Sequence, residues 1–419
     1  MTAALKRCVW WLLAALTAAA APAFNFTQAA IDNGEALARL NAEAVRAAKE
    51  LAGRGGPNST CTPDQLRVRR EWRTLPAEER KAYIAAVQCL QSSPSLIDPS
   101  TAPAAKSLFD NFVIVHLNQT GIIHNTANFL LWHRFFTHTY EQKLRNVCGV
   151  LPYWEWGLDV AGPGASPVFD GSATSMGGNG AFFPHEGLRI PQTYANATLR
   201  LEPGSGGGCV GSGPFANMTV HVGEKLLWNY GSPTASATER PLDDHPRCLK
   251  RDLNGHVARR YTSFRNTTSL ILENEGIEMF QAVMQGDDRY VAGELGVHGG
   301  GHYTIAGNPG SDPYISPGEP VFYLHHAQVD RVYWIWQMLD FANRRVSRPD
   351  MLPAAAVLPV TYADRLEKDV FGTLTLQNNP PSRNGTLDDV VDISPLGEPI
   401  QLRELLSTVG GSPLCYVYE

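Results

Sequence analysis

Apolar residues recur at helical spacing in several long segments of the chain, and this period is the main sequence signal for amphipathic or buried helices. Pro76, followed by Glu78 and Glu79, marks a helix start, because proline fits the first turn and carboxylates favour the N-terminus. The segments that we predict to be helical are 31–52, TLPAEERKAYIAAVQCL, SLFDNFVIVHL, NFLLWHRFFTHTYEQKLRNV, SLILENEGIEMFQAVMQG and PVFYLHHAQVDRVYWIWQMLDFANRR.

The helical pattern is interrupted between Ala161 and Asp252, where Gly, Pro, Ser and Asn dominate, as in GSATSMGGNG and PGSGGGCVGSGP. Such a stretch cannot form long regular elements, and we expect surface loops there. The last seventy or so residues mix short strand-like runs (TLTLQ) with turns (NNPPSRNG). The pattern predicts one mainly α domain over 24–419, with long Gly/Pro-rich loops and few short strands.

The N-terminus has the organisation of a secretory signal peptide. Lys6 and Arg7 precede the apolar run CVWWLLAALTAAAA, which leads to the small-x-small site Ala21-Pro22-Ala23. A membrane anchor is the alternative, but a bilayer span needs about 20 apolar residues and this run has only about 14. We therefore expect residues 1–23 to be removed and the protein to be secreted and extracellular.

Composition and charge limit the classes of partner. The 419 residues are 43% hydrophobic and 18% charged, as in globular proteins, and the formal net charge is −6. A net negative chain lacks the basic field that attracts nucleic acid. We expect neither a nucleic acid nor a membrane as partner, and a monomer or weak dimer.

Cysteine and asparagine usage agree with an oxidising, extracellular compartment. Six cysteines remain after signal removal, an even number suited to three disulfides, and no C-x-x-C pair indicates a thiolate metal site. Spacing alone does not choose among the possible pairings, and our working hypothesis is Cys61–Cys415, Cys89–Cys148 and Cys209–Cys248. Acceptor sequons N-x-S/T, which predict glycosylation, occur at Asn25, Asn58, Asn118, Asn196, Asn217, Asn266 and Asn384.

Six of the twelve histidines form two spaced sets on the strongest helical segments. One histidine on an apolar helix face is usually a hydrogen-bonded core residue, but bundle folds build metal sites from several inward imidazoles. The two sets are His116, His124 and His133, and then His298, His302 and His326. A purely imidazole ligand set suits Zn, Cu, Fe or Ni. Two sets of three imply two metals, which points to copper.

The stretch VHGGGHY places His298 and His302 four residues apart, the spacing of one helix face. Three glycines separate them, and each costs a helix interior about 1 kcal/mol relative to Ala. We expect this helix to be held by metal and packing, with Gly299, Gly300 and Gly301 allowing a neighbouring helix or a substrate to approach closely.

Four sequence blocks together resemble the type 3 copper proteins, that is, tyrosinases, catechol oxidases and hemocyanins. The blocks are FLLWHRFF, LPYWEW, HGGGH and EPVFYLHHAQVDRVYWIW, and the likeness runs from about Arg69 to Tyr418. It is closest to the short secreted fungal polyphenol oxidases.

The resemblance implies a central four-helix bundle that holds a dinuclear copper site. It assigns the first set of histidines to one copper ion and the second set to the other, with His326 preferred over His325 as the ligand in LHH. It also implies that small phenols are the substrates and that O2 is the co-substrate. The expected reaction is oxidation of o-diphenols to o-quinones, with O2 reduced to water.

Three positions favour o-diphenol oxidation over hydroxylation of monophenols. Many relatives link a cysteine to the second ligand of the first copper, but Ile122 stands there and no thioether can form. Hydroxylating members often place Asn after the first ligand of the second copper, where this chain has Gly299. Glu294 is either the carboxylate that orders a catalytic water or a plain surface residue. At the entrance we expect Gly299, Tyr303 and Pro313, the last being stiff but small enough to admit an aromatic ring.

Asp330 lies four residues after His326 on the same predicted helix. It is a candidate hydrogen-bond acceptor for that imidazole, which would fix the tautomer of a ligating ring. The alternative is a salt bridge to a nearby basic residue.

The C-terminal CYVYE resembles the tyrosine motif that closes the catalytic domain in this family, and we expect it to pack near Arg69 or Arg70. The chain stops at Glu419, so the resemblance implies a single catalytic domain without the C-terminal lid domain of larger relatives.

Two other classes of protein are alternatives to a polyphenol oxidase. A hemocyanin-like dioxygen carrier would use the same ligands, but carriers are usually large repeated assemblies. A glycosylated wall or binding protein with a vestigial site is disfavoured because all six ligands are present. Among enzymes, the alternative to a catechol oxidase is a tyrosinase with substantial monophenol hydroxylase activity.

Overall fold

The computed structural model describes residues 24–55, 60–145, 151–192, 194–226, 238–344, 387–411 and 413–419. The predicted signal peptide, Cys148 and the run TLTLQ lie outside these ranges, so the predictions made on them remain predictions. No described helix is long and apolar enough to cross a membrane.

The described part of the chain is mainly helical, as the apolar pattern predicts. The helices are Gln28–Asp32 (α1), Glu35–Gly53 (α2), Ala77–Ser92 (α3), Leu108–Ile123 (α4), Phe129–Arg145 (α5), Gly255–Tyr261 (α6), Phe264–Glu273 (α7), Ile277–Gln285 (α8), Gly296–Ile305 (α9), Phe322–Leu339 (α10) and Phe341–Arg344 (α11). Short 3-10 helices occupy Pro63–Gln65, Trp72–Thr74, Trp156–Asp159, Pro163–Ala165, Ser316–Gly318 and Leu402–Leu405.

Three of the predicted helical segments are divided in the structure, two of them at a glycine and the third at Asp340, between α10 and α11. The first breaks at Gly34, whose φ of 88° lies in the left-handed region that favours glycine. The second breaks between Glu273 and Ile277, around Gly276. In both places a glycine in the sequence marks the interruption.

The strands are short and pair two by two. They are Arg67–Arg69 (β1), Gly180–Phe182 (β2), Leu188–Gln192 (β3), Ala197–Leu201 (β4), Gly207–Val210 (β5), Thr219–Val222 (β6), Asp244–Cys248 (β7), Val390–Val391 (β8), Ile400–Gln401 (β9) and Tyr416–Tyr418 (β10). The segment that we expected to be surface loops thus contains three small antiparallel pairs, β2–β5, β3–β4 and β6–β7. Gly and Pro keep each of them short, but they do not prevent local pairing.

Helix α10 occupies the centre of the molecule. Its residues from Phe322 to Met338 are all buried, as expected for a helix that is apolar on every face. It contacts α2, α5, α7 and α9, while α4 packs on α5. Helices α4, α5, α9 and α10 form the central bundle, and they carry the histidines singled out in the sequence.

The C-terminal tyrosine motif closes onto the start of the domain. Strand β10 pairs in parallel with β1, and the Nη1 atom of Arg69 donates a 2.7 Å hydrogen bond to the hydroxyl of Tyr418. The Arg69 guanidinium also lies over the ring of Tyr416, 3.7 Å from its centroid. This contact confirms the expected packing, with Arg69 as the partner and not Arg70.

Two of the three disulfides in our hypothesis are present. Cys61 bonds to Cys415, beside the β1–β10 pair, and Cys209 bonds to Cys248, which joins β5 to β7. The third pair, Cys89–Cys148, stays a prediction because Cys148 lies outside the described residues.

Four sequon asparagines, Asn25, Asn118, Asn196 and Asn217, are exposed, whereas Asn266 is half-buried. Asn58 and Asn384 lie outside the described ranges.

Candidate metal centre

Three histidines from α4 and α5 form the first histidine group: His116, His124 and His133. His116 lies inside α4, His124 ends that helix, and His133 lies inside α5. The ring centroids are 5.0 to 5.6 Å apart. All three side chains are at most 5% exposed, so the chain has placed three polar rings in an apolar interior.

Each ring of the first histidine group is oriented by a main-chain carbonyl. The Nδ1 atoms of His116, His124 and His133 lie 3.0, 3.1 and 2.8 Å from the carbonyl oxygens of Tyr314, Thr120 and Phe129. A carbonyl can only accept a hydrogen bond, so Nδ1 must carry the proton. The lone pair of each ring is therefore on Nε2, the usual arrangement for a metal-ligating histidine.

Unpaired nitrogens in this group fit a metal ion. The Nε2 atoms of His116 and His133 are buried and have no hydrogen-bond partner in the part of the chain that the structure describes. Burying such an acceptor without a partner is costly, so the site needs a group that can take its lone pair. A metal cation meets that requirement, and the ligand atoms of the three residues lie within 4.8 Å of one another.

The second histidine group consists of His298 and His302 on α9 and His326 on α10. The Nε2 atom of His302 lies 3.2 Å from that of His298 and 3.1 Å from that of His326. An imidazole–metal bond is about 2 Å long, which places neighbouring ligand nitrogens about 3 Å apart around one ion. The three Nε2 atoms are thus spaced as ligands of a single ion.

His325 lies beside the second histidine group and could also reach a metal there. Its ring, however, packs against α9 and lies 5.3 Å from the ring of Trp156. The ring of His326 stacks on Phe322 at 4.1 Å and on His133 at 4.6 Å, and its Nε2 faces His302. The geometry therefore agrees with the choice of His326.

The glycines of VHGGGHY have separate packing roles. A Cβ on Gly301 would lie 2.2 Å from Cε1 of His325, and one on Gly300 would lie 2.6 Å from Cβ of Tyr261. A Cβ on Gly299 would meet only the Leu295 side chain, at 3.3 Å. Close approach of a neighbouring helix thus explains Gly300 and Gly301, while Gly299 leaves room for a side chain.

The two groups adjoin across the bundle. The ring centroids of His133 and His326 are 4.6 Å apart, and those of His124 and His298 are 5.9 Å apart. Phe129 packs against both His133 and His298, at 4.9 and 4.7 Å. The rings surround one shared, aromatic-lined interior.

The environment keeps the imidazoles uncharged. Burial, followed by the proximity of the other histidines, holds the pKa of His116, His133, His298 and His326 well below the ordinary value. Burial likewise lowers the pKa of His302 to about 3. The neutral ring is the form that binds metal ions.

The loop before α10 contacts both groups. Its Tyr314 carbonyl accepts from His116, and the backbone of Gly310 is hydrogen-bonded to His302. The buried carboxylate of Asp312 holds this loop by accepting from the main-chain N–H groups of Lys225, Leu226 and Tyr314, at 2.8 to 2.9 Å. Burial raises the pKa of Asp312 to about 6.

Residues 106–339, more than half of the chain, match the model of the common central domain of tyrosinase. This range contains both histidine groups. The chain belongs to the tyrosinase family. It is a copper oxidoreductase with the mainly α fold of type 3 copper proteins.

Individual relatives match over most of their length. The chain is 37% identical over 340 residues to the tyrosinase-like protein orsC of Emericella nidulans, covering 78% of this chain and 88% of the relative. It is 34% identical over 368 residues to tyrosinase P of Aspergillus terreus, covering 86% and 94%.

A polyphenol oxidase from Thermothelomyces thermophila, solved as a glycine-to-asparagine variant, superposes with a TM-score of 0.80 at 36% identity. The match covers 92% of this chain and 98% of the other.

In this tyrosinase-family chain Asp330 does not orient His326, which corrects our first hypothesis and supports the alternative. Its carboxylate accepts from Nε of Arg134 at 2.6 Å and from Nη1 of Arg69 at 3.3 Å. The hydroxyls of Tyr416 and Tyr418 donate to the same carboxylate at 2.6 and 2.7 Å. Burial alone would raise the pKa of Asp330, but Arg134 and Arg69 hold it below the usual value.

Glu294 is exposed, and its main-chain carbonyl accepts a hydrogen bond from Nε2 of Gln192 at 3.2 Å. This position agrees better with a plain surface residue than with a water-ordering carboxylate.

The remaining entrance residues lie on two sides of the centre. Tyr303 is buried in a small apolar cluster with Tyr261 and Leu295. Pro313 is half-buried next to Tyr314, and its carbonyl lies 3.5 Å from the hydroxyl of Thr120. Their roles in substrate access remain predictions.

Sequence reasoning missed the contacts that orient the site. The carbonyl of Tyr314 is 198 positions from His116 in the chain, and a main-chain acceptor has no residue-type signal. The role of His325 in filling the space beside Gly301 was also missed, although the doublet LHH next to HGGGH was visible.

Proposed function

We propose that this protein is a secreted polyphenol oxidase that converts o-diphenols to o-quinones. In this proposal His116, His124 and His133 hold one copper ion, and His298, His302 and His326 hold a second. Among the described residues the Nε2 atoms of His116 and His133 have no hydrogen-bond partner, and this, with the 3.1 to 3.2 Å spacing in the second group, supports the assignment.

Two bound copper ions would supply two-electron reduction chemistry toward O2. In the balanced reaction two catechols each lose two electrons and two protons, while one O2 gains four of each and yields two waters. The protein's part is to keep six imidazoles aimed at one interior. The rings of Phe129, Trp132 and Phe322 exclude bulk water from it.

The choice of o-diphenols rests on Gly299. A hydroxylating member of the family places an asparagine after the first ligand of the second copper, and this chain has no side chain there. The exposed position of Glu294 favours a plain surface residue over a carboxylate that orders the same water. A catechol, which is oxidised more easily than a monophenol, is therefore the substrate that we propose.

The substitution Gly299→Asn tests this choice. The only close neighbour of the new Cβ is the Leu295 side chain, so the variant should fold normally. We expect the ratio of initial rates on a monophenol and its catechol, 4-tert-butylphenol and 4-tert-butylcatechol, to rise about tenfold or more. A wild-type protein that already oxidises both at comparable rates, without a lag on the monophenol, would favour a tyrosinase.

A dioxygen carrier is distinguished by turnover. A copper-loaded sample that binds O2 reversibly but leaves 4-tert-butylcatechol unoxidised would overturn the enzyme assignment. If His298→Ala or His133→Ala retained full catechol oxidation, the ligand assignment would be wrong.

The two disulfides support secretion, because disulfides form and persist in oxidising, extracellular compartments. Intact-mass analysis of protein from the culture medium of a eukaryotic host would test cleavage after Ala23 and glycan addition at the exposed sequons. A secreted chain that retains residues 1–23 would contradict the signal peptide.

A further inference from the structure

His124 differs from the other members of the first histidine group in its backbone. His116 and His133 lie inside helices, whereas His124 follows the last turn of α4 with extended backbone angles, φ −120° and ψ 142°. The next residue, Asn125, has a φ of 52° in the left-handed region. Helical hydrogen bonding therefore fixes the other two backbones, but it cannot fix that of His124.

Covalent tethering is not available for this histidine. The position from which relatives attach a cysteine thioether holds Ile122, whose side chain is 2% exposed. The Thr120 carbonyl orients the ring of His124, but the backbone that follows α4 needs a restraint of its own.

Two side chains, one at the end of α8 and one just after it, supply contacts on both sides of Asn125. The main-chain N–H of Asn125 donates to Oε1 of Gln285 at 2.7 Å, and its carbonyl accepts from Nη2 of Arg289 at 2.7 Å. Both main-chain polar groups next to His124 are thus held by side chains more than 150 positions away in the chain.

Gln285 and Arg289, which together form a clamp on Asn125, are themselves held in place. The Nε2 atom of Gln285 donates to the carbonyl of Gln281 at 3.2 Å. The Nε atom of Arg289 donates to Asp287 at 2.9 Å, and the Asp287 carboxylate is fully buried. The charge-assisted bond to Asp287 fixes the arginine in the direction of Asn125.

We propose that Gln285 and Arg289 are positioning residues for His124, and that this pair of hydrogen bonds replaces the covalent tether. The inference rests on the proposed function, in which His124 is a copper ligand. Because the clamp comes from the end of α8 and the segment between α8 and α9, it also joins the first histidine group to the helix that carries His298 and His302. Loss of the clamp frees the backbone beside one ligand. Metal binding must then order that backbone, which lowers the affinity for the metal ion.

The test compares Gln285→Leu with Gln285→Glu. The first variant removes the acceptor for the Asn125 N–H and leaves no buried charge. The second keeps that acceptor oxygen, but it loses the bond to Gln281 and adds a carboxylate charge. Gln192→Leu is the matched control, because Oε1 of Gln192 accepts from the N–H of Gly293 at 2.8 Å, also in a left-handed conformation, but next to no histidine of the first group.

The readouts are copper per chain after dialysis against a graded series of chelator concentrations, the melting temperature of the metal-free protein, and catechol oxidation. We expect Gln285→Leu to lose one copper per chain at a chelator concentration about tenfold lower than wild type. Excess copper should restore its catechol oxidation. Gln285→Glu and Gln192→Leu should keep both ions as wild type does.

The outcomes separate the two proposals. If Gln285→Leu retains both ions like Gln192→Leu, whatever its melting temperature, the clamp does not position His124 and the inference fails alone. If the wild type binds no copper, the proposed function fails. Should Gln285→Leu not fold, Arg289→Lys keeps a cation beside Asp287, shortens the reach to Asn125, and is expected to give the same selective loss.

Discussion

The two histidine groups are held by different means. In the first group every Nδ1 atom is bonded to a main-chain carbonyl, at 2.8 to 3.1 Å. In the second group the Nδ1 atom of His326 is buried without a hydrogen-bond partner among the described residues, and its ring is placed by stacking on Phe322. Main-chain carbonyls therefore orient every ring of the first group, whereas in the second group His302 bonds to the backbone of Gly310 and His326 is placed by packing.

This difference predicts where each group is vulnerable. A carbonyl cannot be removed by substitution, so the ring orientations of the first group should tolerate changes in nearby side chains other than Gln285 and Arg289, which hold the backbone beside His124. Packing is sensitive to volume, and interiors accommodate an added methyl group poorly. The second group also depends on the position of α10, which the buried charges around Asp330 stabilise.

The largest expected effect is from Asp330→Asn. It leaves the buried guanidinium groups of Arg69 and Arg134 without their shared carboxylate, and breaking a buried pair typically costs about 3–5 kcal/mol. Denaturant unfolding of the metal-free protein measures this loss. The control Asp388→Asn breaks an exposed pair with Arg403 and should leave stability nearly unchanged. Equal stability of the two variants would contradict the role of the charge cluster.

The next effect concerns pH and a histidine outside both groups. Burial, offset in part by Glu141 and reinforced by Arg69, lowers the pKa of His138 to about 4. In the unfolded chain the pKa of a histidine is about 6.5. Burying the neutral ring therefore carries no penalty above that pH, and stability is lost as the pH falls toward 4, because the unfolded chain then binds the proton more readily. His138 alone should lower the free energy of unfolding by up to about 3 kcal/mol across this window, in addition to the loss from the buried histidines of the two groups.

Replacing the ring identifies its contribution to that slope. Urea titrations of the metal-free protein at several pH values should show a shallower decline for His138→Gln than for wild type. The exposed His256 provides the control, and His256→Gln should retain the wild-type slope. An unchanged slope in His138→Gln would mean that other groups produce the acid sensitivity.

A smaller effect is expected from one methyl group in α9. The Cβ of Gly301→Ala would overlap the buried ring of His325, and overpacking typically costs about 1–3 kcal/mol. The matched variant Gly299→Ala meets only the Leu295 side chain and should lie within about 1 kcal/mol of wild type, since Ala is the better helix former. Thermal unfolding and copper content of both would check this, and equal behaviour would refute the packing argument.

The smallest effect is expected in the first group. The hydroxyl of Thr120 donates to the carbonyl of His116 at 2.7 Å and lies 3.4 Å from its Nδ1. Because the Tyr314 carbonyl already orients that ring, Thr120→Val should cost about 1 kcal/mol of stability and leave copper binding unchanged. A marked loss of copper would show that the hydroxyl, and not the carbonyl, orients His116.

The sequence predicted what depends on local pattern. Helical periodicity located the bundle, and the spacing of His298 and His302 placed both rings on one face of α9. Long-range partners were harder to predict: Asp330 and Arg69 are 261 positions apart, and several basic residues could equally have met that carboxylate. The clamp on Asn125 was missed for the same reason, because a glutamine at the end of a helix and an arginine after it carry no signal of what they contact.

The packing of Gly301 against His325 has an evolutionary consequence. A side chain at position 301 and the imidazole at position 325 would occupy the same volume, since the added carbon lies 2.2 Å from the ring. A side chain at position 301 therefore cannot be accommodated while the imidazole at position 325 is kept. Among descendants of this sequence, a larger residue at 301 becomes accessible only after the ring at 325 has been replaced by something smaller, so the order of the two substitutions is fixed.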